Sequence, residues 1–119
     1  MNKKIYIYDI TKGFSSFIKH YYSDKLTIDS CTNKKNFSLN LIEEYDACFF
    51  VVNDMEDFAN LINLYYKIEH FFVGVPNLII KDKVESLKYD EIVILEFDKS
   101  KHELLKIINQ NLLQRKLIT

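Results

Sequence analysis

The residues of this chain best placed to do chemistry lie at the ends of apolar runs. In "DACFFVVNDMED" (Asp46–Asp57), six strongly apolar residues stop in Asn53, followed within four positions by Asp54, Glu56 and Asp57. Such an acidic end to a buried strand suits a phosphoryl acceptor, a metal site or the start of a helix. The helix reading accounts for the acids economically. Asn53 stands three residues before Glu56, a capping-box spacing, and Asp54, Glu56 and Asp57 suit the positive end of a helix dipole. Asp9 closes another apolar run, "KIYIYDI", either as a ligand or as a polar remnant at a strand end. The loop "DITKGFSS" after it carries Thr11, Gly13, Ser15 and Ser16, whose amides and hydroxyls are chemically suited to an anion at a helix N-terminus. A simple cap by Thr11 explains the same loop.

Other chemistries lack their residues. His20, His70 and His102 are scattered, with no H-x-x-x-H pair, and Cys31 and Cys48 form no C-x-x-C pattern. Two lone cysteines in apolar contexts read as small buried hydrophobes, and no metal is expected. There is no G-x-S-x-G elbow for nucleophilic catalysis. The carboxylate pairs Glu43–Glu44 and Asp54–Asp57 read as solvated faces or caps. With 16 basic and 17 acidic residues, and Arg115 the single arginine, nucleic-acid binding is excluded. No segment is long and apolar enough for a membrane span. The amino end goes straight into a strand-like run, so no signal peptide is expected and the cytoplasm is the expected location.

The elements that must position these residues alternate. At 119 residues, 48% apolar, with two glycines and one proline, the chain is a single domain, 1–119, with no linker. Strands are expected at "KIYIYDI", "KLTIDSC", "ACFFVV", "NLII" after Pro76, and "EIVILEF". "ACFFVV" is apolar enough for a central strand buried on both faces. Helices are expected between them. Phe14, Phe17, Ile18 and Tyr21 share one face, and Phe37, Leu41 and Tyr45 recur in "NFSLNLIEEY". Phe58, Leu61, Ile62 and Tyr65, with Ile68 beyond, make a third stripe. "DKVESLKYD" forms a short fourth helix, and Leu104, Ile108 and Leu112 line the last, with Leu105 beside them. The pattern is α/β: a (βα)5 doubly wound, five-stranded parallel sheet in a three-layer sandwich. Sheets of this kind put sites at the carboxyl ends of central strands, here after Tyr8, Val52, Ile80 and Leu95.

The length, the order of elements and several motifs resemble the receiver domain of two-component response regulators, a flavodoxin-like fold. "KKIYIYDI" is similar to the family's acid-ended first strand, "EEYDACFFVV" to its E-x-Y-D lead into the third, "VPNLIIK" to its Pro-led fourth, and "LEFD" to its K-P-F-D turn. The resemblance implies five roles: two acids for Mg²⁺, an aspartate nucleophile, a Thr or Ser, and a Lys that neutralises the phosphoryl oxygens. Asp9 fits one acid, and Ile10 takes the other's place. The nucleophile position falls on Val51, Lys81 lies where the Thr or Ser belongs, and Leu95 or Glu96 stands in place of the Lys. A slip of the third strand would instead assemble a residual pocket of Asp9, Asn53, Asp54 and Lys81, with Asp54 as phosphoacceptor and Mg²⁺ as its cofactor.

The resemblance therefore implies a degenerate receiver, a regulatory domain that is no enzyme, needs no cofactor and binds a protein in trans. Its candidate surfaces are Tyr65 and Tyr66 and, on the closing helix, Ile107, Leu113 and Leu117, the latter suited to a homodimer. Two alternatives stand beside it. One is a phosphorylatable receiver using Asp54. The other is a flavodoxin-like protein holding FMN on Thr11, Gly13 and Ser15.

Overall fold

In the computed structural model, which describes residues 2–38 and 41–119, the apolar runs pair into one parallel sheet. Its strands are β1 (Lys3–Tyr8), β2 (Leu26–Cys31), β3 (Ala47–Val51), β4 (His70–Val75) and β5 (Ile92–Glu96), in the order β2-β1-β3-β4-β5. The winding reverses between β1 and β3, so the crevice at their carboxyl ends is the natural position for a site. Four helices cover the sheet: α1 (Gly13–Tyr22), α2 (Met55–Leu64), α3 (Leu78–Ser86) and α4 (Lys101–Gln114).

Alternating side chains divide the core into two layers. Ile5, Ile7, Phe49, Val51, Phe72 and Leu95 face α1 and α4, where Phe14, Ile18, Leu104, Ile108 and Leu112 cover them. Tyr8, Phe50, Val52, Phe71, Val73 and Val75 face α2 and α3, under Leu61, Leu64, Ile80 and Val84. Every residue of β3 is buried, as expected of a central parallel strand. On edge strand β2, Thr27 and Asp29 face solvent, the thinner cover that its alternation implied.

Three expected elements differ. Among the described residues no α-helix lies between β2 and β3; short 3₁₀ turns at Lys34–Asn36 and Leu41–Glu44 stand where a helix was expected over "NFSLNLIEEY", whose Leu39 and Asn40 lie outside the described residues. The described residues thus form four α-helices, not five. The fourth strand is "HFFVGV", not "NLII". Pro76 interrupts the run, and Asn77 accepts a hydrogen bond from the Ile80 N–H at 2.9 Å, which caps α3 and puts "LII" on its first turn. Leu78 and Ile79 are exposed, whereas Phe71–Val75 are buried. The apolar stripes also rotate: Ile62 and Tyr21 face solvent, while Leu64 and Tyr22 are buried.

Gly74 marks the closest approach between β4 and the segment after β5. A Cβ there would lie inside contact distance of Phe97 Cζ and at 3.0 and 3.1 Å from the ring's Cε atoms. Phe97 is in turn stacked on Phe14, with centroids 5.0 Å apart. Gly74→Ala is expected to cost about 1–3 kcal/mol through overpacking. Urea denaturation would measure it, and an unchanged midpoint would mean that the Phe97 ring swings aside freely.

Candidate functional site

At the end of β1, Asp9 is fully buried. Its Oδ1 accepts hydrogen bonds from the Thr11 hydroxyl at 2.6 Å and the Thr11 N–H at 3.2 Å. Its Oδ2 accepts from the Ser15 N–H at 3.0 Å, in the first turn of α1. The N–H of Lys12, in the left-handed region at φ 68°, donates to the Asp9 carbonyl. Asp9, not Thr11, is therefore the side chain that caps α1. The loop that could have cradled a phosphate with Thr11, Gly13 and Ser15 already holds this carboxylate.

β3 ends in Val51, and Val52 follows it, both buried. Val51 is in register with Gly74, and the Val52 N–H donates to the Gly74 carbonyl. The acids beyond form a capping box one position later than the Asn53–Glu56 spacing suggested. Asp54 Oδ1 accepts from the Asp57 N–H at 2.9 Å, and Asp57 Oδ2 accepts from the Asn53 N–H at 2.9 Å. Asp57 is fully buried, and its Oδ1 accepts from the Tyr8 hydroxyl at 2.8 Å. Burial, then this bond to Asp57, holds the Tyr8 phenol well above its ordinary ionisation range. Asn53 Nδ2 is buried with no hydrogen-bond partner among the described residues.

Asp54 turns outward to Lys34, which also reaches Glu56 at 3.3 Å. The Lys34 ammonium holds the Asp54 carboxyl below the usual carboxylate range. At the end of β5, in register with Val75, Glu96 takes Lys81 at 2.8 Å and Lys99 at 3.5 Å. The Lys81 bond lowers the Glu96 carboxyl's pKa in the same way. Lys81 lies within α3, so it is a partner of Glu96 and does not occupy the end of β4; Val75 and Pro76 do.

These donors do not suit Mg²⁺, which demands near-octahedral oxygen ligation. Both Asp9 oxygens serve their own loop, Ile10 is beside it, and Asp54 is neutralised by Lys34. Among the described residues no three His, Cys, Asp or Glu side chains come together as a metal-holding group. Asp9 is held in its own loop, Asn53 and Asp54 together in the network with Asp57 at the head of α2, and Lys81 on Glu96. Asp57, Tyr8 and Lys34, unmarked in the sequence reading, carry the principal interactions instead. The one available signal was that Asp54 and Asp57 also have capping-box spacing.

No protein-family model and no curated protein sequence matches the chain. Among solved structures it is similar to the chemotaxis protein CheY4 of Vibrio cholerae, with 16% identity, a TM-score of 0.66, and 92% of this chain and 98% of that one covered. It is similar also to the signal receiver domain of an HD domain-containing protein from Pseudomonas fluorescens Pf-5, with 14% identity, a TM-score of 0.67 and 98% of both chains covered. A third is the receiver domain of the Francisella response regulator 1452, with 22% identity, a TM-score of 0.64, and 97% and 98% covered. The fold is that of a receiver domain.

On the receiver fold, the phosphoacceptor position that the resemblance assigned to Val51 is the buried last residue of β3. Of the two residues that the resemblance sets in place of the Lys, Leu95 is buried in the sheet and Glu96 is paired with Lys81 and Lys99. The candidate surfaces divide as well. Tyr66 and Leu113 are exposed, at 76% and 46%. Tyr65 stacks on Tyr89, centroids 3.8 Å apart, and its hydroxyl donates to the Asp90 carbonyl. Leu117 is core and Ile107 packs against it, so neither belongs to an open surface. The C-terminal turn explains this: the N–H groups of Leu117 and Ile118 both return to the Leu112 carbonyl, folding the two side chains inward. No helix among the described residues is long and apolar enough to cross a membrane.

Proposed function

We propose that the chain is a pseudo-receiver, a regulatory domain of two-component signalling type that binds another protein and is not phosphorylated on aspartate. One observation carries this reading: β3 ends in buried valines while β5 ends in a carboxylate, so nucleophile and cation are both replaced. Phosphoryl transfer depends on positioning a nucleophile and neutralising charge, and neither a buried valine nor a carboxylate already paired with Lys81 and Lys99 supplies these. The domain works in trans, in the cytoplasm, without a cofactor of its own. Leu78 and Ile79, exposed at 66% and 70% on the first turn of α3, offer apolar area for a partner beside the half-buried edge strand β5. A second copy of the chain is one such partner.

The test is an amide NMR titration with Mg²⁺ and beryllofluoride, a mimic of the phosphoryl group. The spectrum is expected to stay unchanged. Saturable shifts at Asp9, Asp54 and Lys81 that vanish in Asp54→Ala would establish a working phosphoacceptor and overturn the proposal.

A further inference from the structure

Between α1 and the start of α4 lies an open groove of about 540 Å³, lined by Phe14, Phe17, Tyr21 and Phe97 with Lys99 and Lys101. Its aromatic wall is continuous. Phe97 stacks on Phe14, Phe14 meets Phe17 at 6.2 Å, Phe17 meets Tyr21 edge-on at 5.2 Å, and Tyr21 meets His20 at 4.8 Å. The wall is also preformed, because Phe97 is lodged against Gly74 on the sheet side and Phe14 is buried against Phe49. The wall does not close over itself: Tyr21 is 45% exposed, and Phe17 and Phe97 are half-buried.

The charged lining has one sign. Lys99 and Lys101 line the groove with no acid among the lining residues, and Lys99 also reaches Glu96 at 3.5 Å outside it. Lys101 opens α4, where the helix dipole disfavours a cation, and among the described residues it has no ion-pair partner. Size, an apolar wall and a few convergent charges are the properties of small-molecule sites. We infer that this groove binds a small aromatic carboxylate, its ring against Phe14, Phe17 and Phe97 and its carboxylate on Lys99 and Lys101. Ring stacking supplies contact area, and the ammonium groups supply the preference for an anion. The inference does not depend on the pseudo-receiver reading, since neither Val51 nor Glu96 lines the groove.

The test uses 2-naphthoate and its neutral counterpart 2-naphthylmethanol as probes, followed by amide shifts in the whole chain. Saturable shifts confined to residues 13–21 and 97–104 are expected with 2-naphthoate. Lys99→Gln/Lys101→Gln should weaken it about tenfold, the loss of one to two charge-assisted bonds, and bring it level with the alcohol. Lys101→Gln alone, exposed and free of structural contacts, should weaken it in the same direction. Shifts scattered over the surface, no saturation, or equal affinity in parent and lysine variants would overturn the site. An alcohol that binds as well as the acid would overturn the assigned class.

Discussion

Asp9→Ala is expected to destabilise the domain by about 2–4 kcal/mol, because it strips the cap from α1 and leaves the buried Ser15 N–H without an acceptor, which alone costs roughly 1–3 kcal/mol. Asp9 is fully buried and gathers the Thr11 N–H, the Thr11 hydroxyl and the Ser15 N–H. Removing it uncaps α1 and releases a turn already held with Lys12 at positive φ. For a domain of this length the loss corresponds to a fall of roughly 8–16 °C in Tm. The loss should be the same with and without millimolar Mg²⁺, since the carboxylate serves its own loop. Asp9→Asn should lie between, as one oxygen remains an acceptor while the amide now faces a donor. Thermal denaturation of the three proteins decides the matter. A variant of parental stability that has lost Mg²⁺ binding would make Asp9 a metal ligand.

Asp57→Ala should cost about as much, roughly 2–4 kcal/mol, through two orphaned donors. The Tyr8 hydroxyl sits on a ring that is 1% exposed, and the Asn53 N–H lies at the end of β3; both donate to Asp57. Tyr8→Phe removes the partner instead and leaves the buried carboxylate with one bond fewer. The double variant should lose less than the sum of the singles, the signature of a direct interaction in a double-mutant cycle. Additive losses would break the assignment. Alkali offers a second readout. A phenol whose ionisation is raised by folding keeps its proton longer in the folded state, so stability is intact below the unfolded value of about 10 and falls as pH rises beyond it. Tyr6 and Tyr22 are raised too, mainly by burial, so Tyr8→Phe should make the alkaline fall shallower without abolishing it.

The two networks divide what local pattern shows from what assembly shows. The alternation of apolar runs is a local property, and it was enough to foretell a doubly wound parallel sheet with a fully buried third strand. It left open whether Val51 or Asp54 closes that strand; the pairing of Val51 with Gly74 decided it. Periodicity failed where two apolar runs adjoin: "HFFVGV" and "LII" are equally strand-like alone, and the choice fell to Pro76 and to the Asn77 cap on α3. Once that boundary moved, Lys81 moved from a strand end to a helix face, opposite Glu96.

Tertiary structure alone decided which acids are buried. Asp54 and Asp57 are three residues apart in the same acidic run, yet Lys34 from the loop after β2 neutralises one at the surface while Tyr8 from β1 binds the other inside. Neither partner is near in sequence; the order β2-β1-β3 brings both to the head of α2. In the same way Gly74 and Phe97 meet only because β4 and β5 are neighbours, and that meeting sets one wall of the aromatic groove. A side chain's periodicity is a property of its own segment, whereas its charge partner and its burial belong to whichever segment the sheet order places beside it.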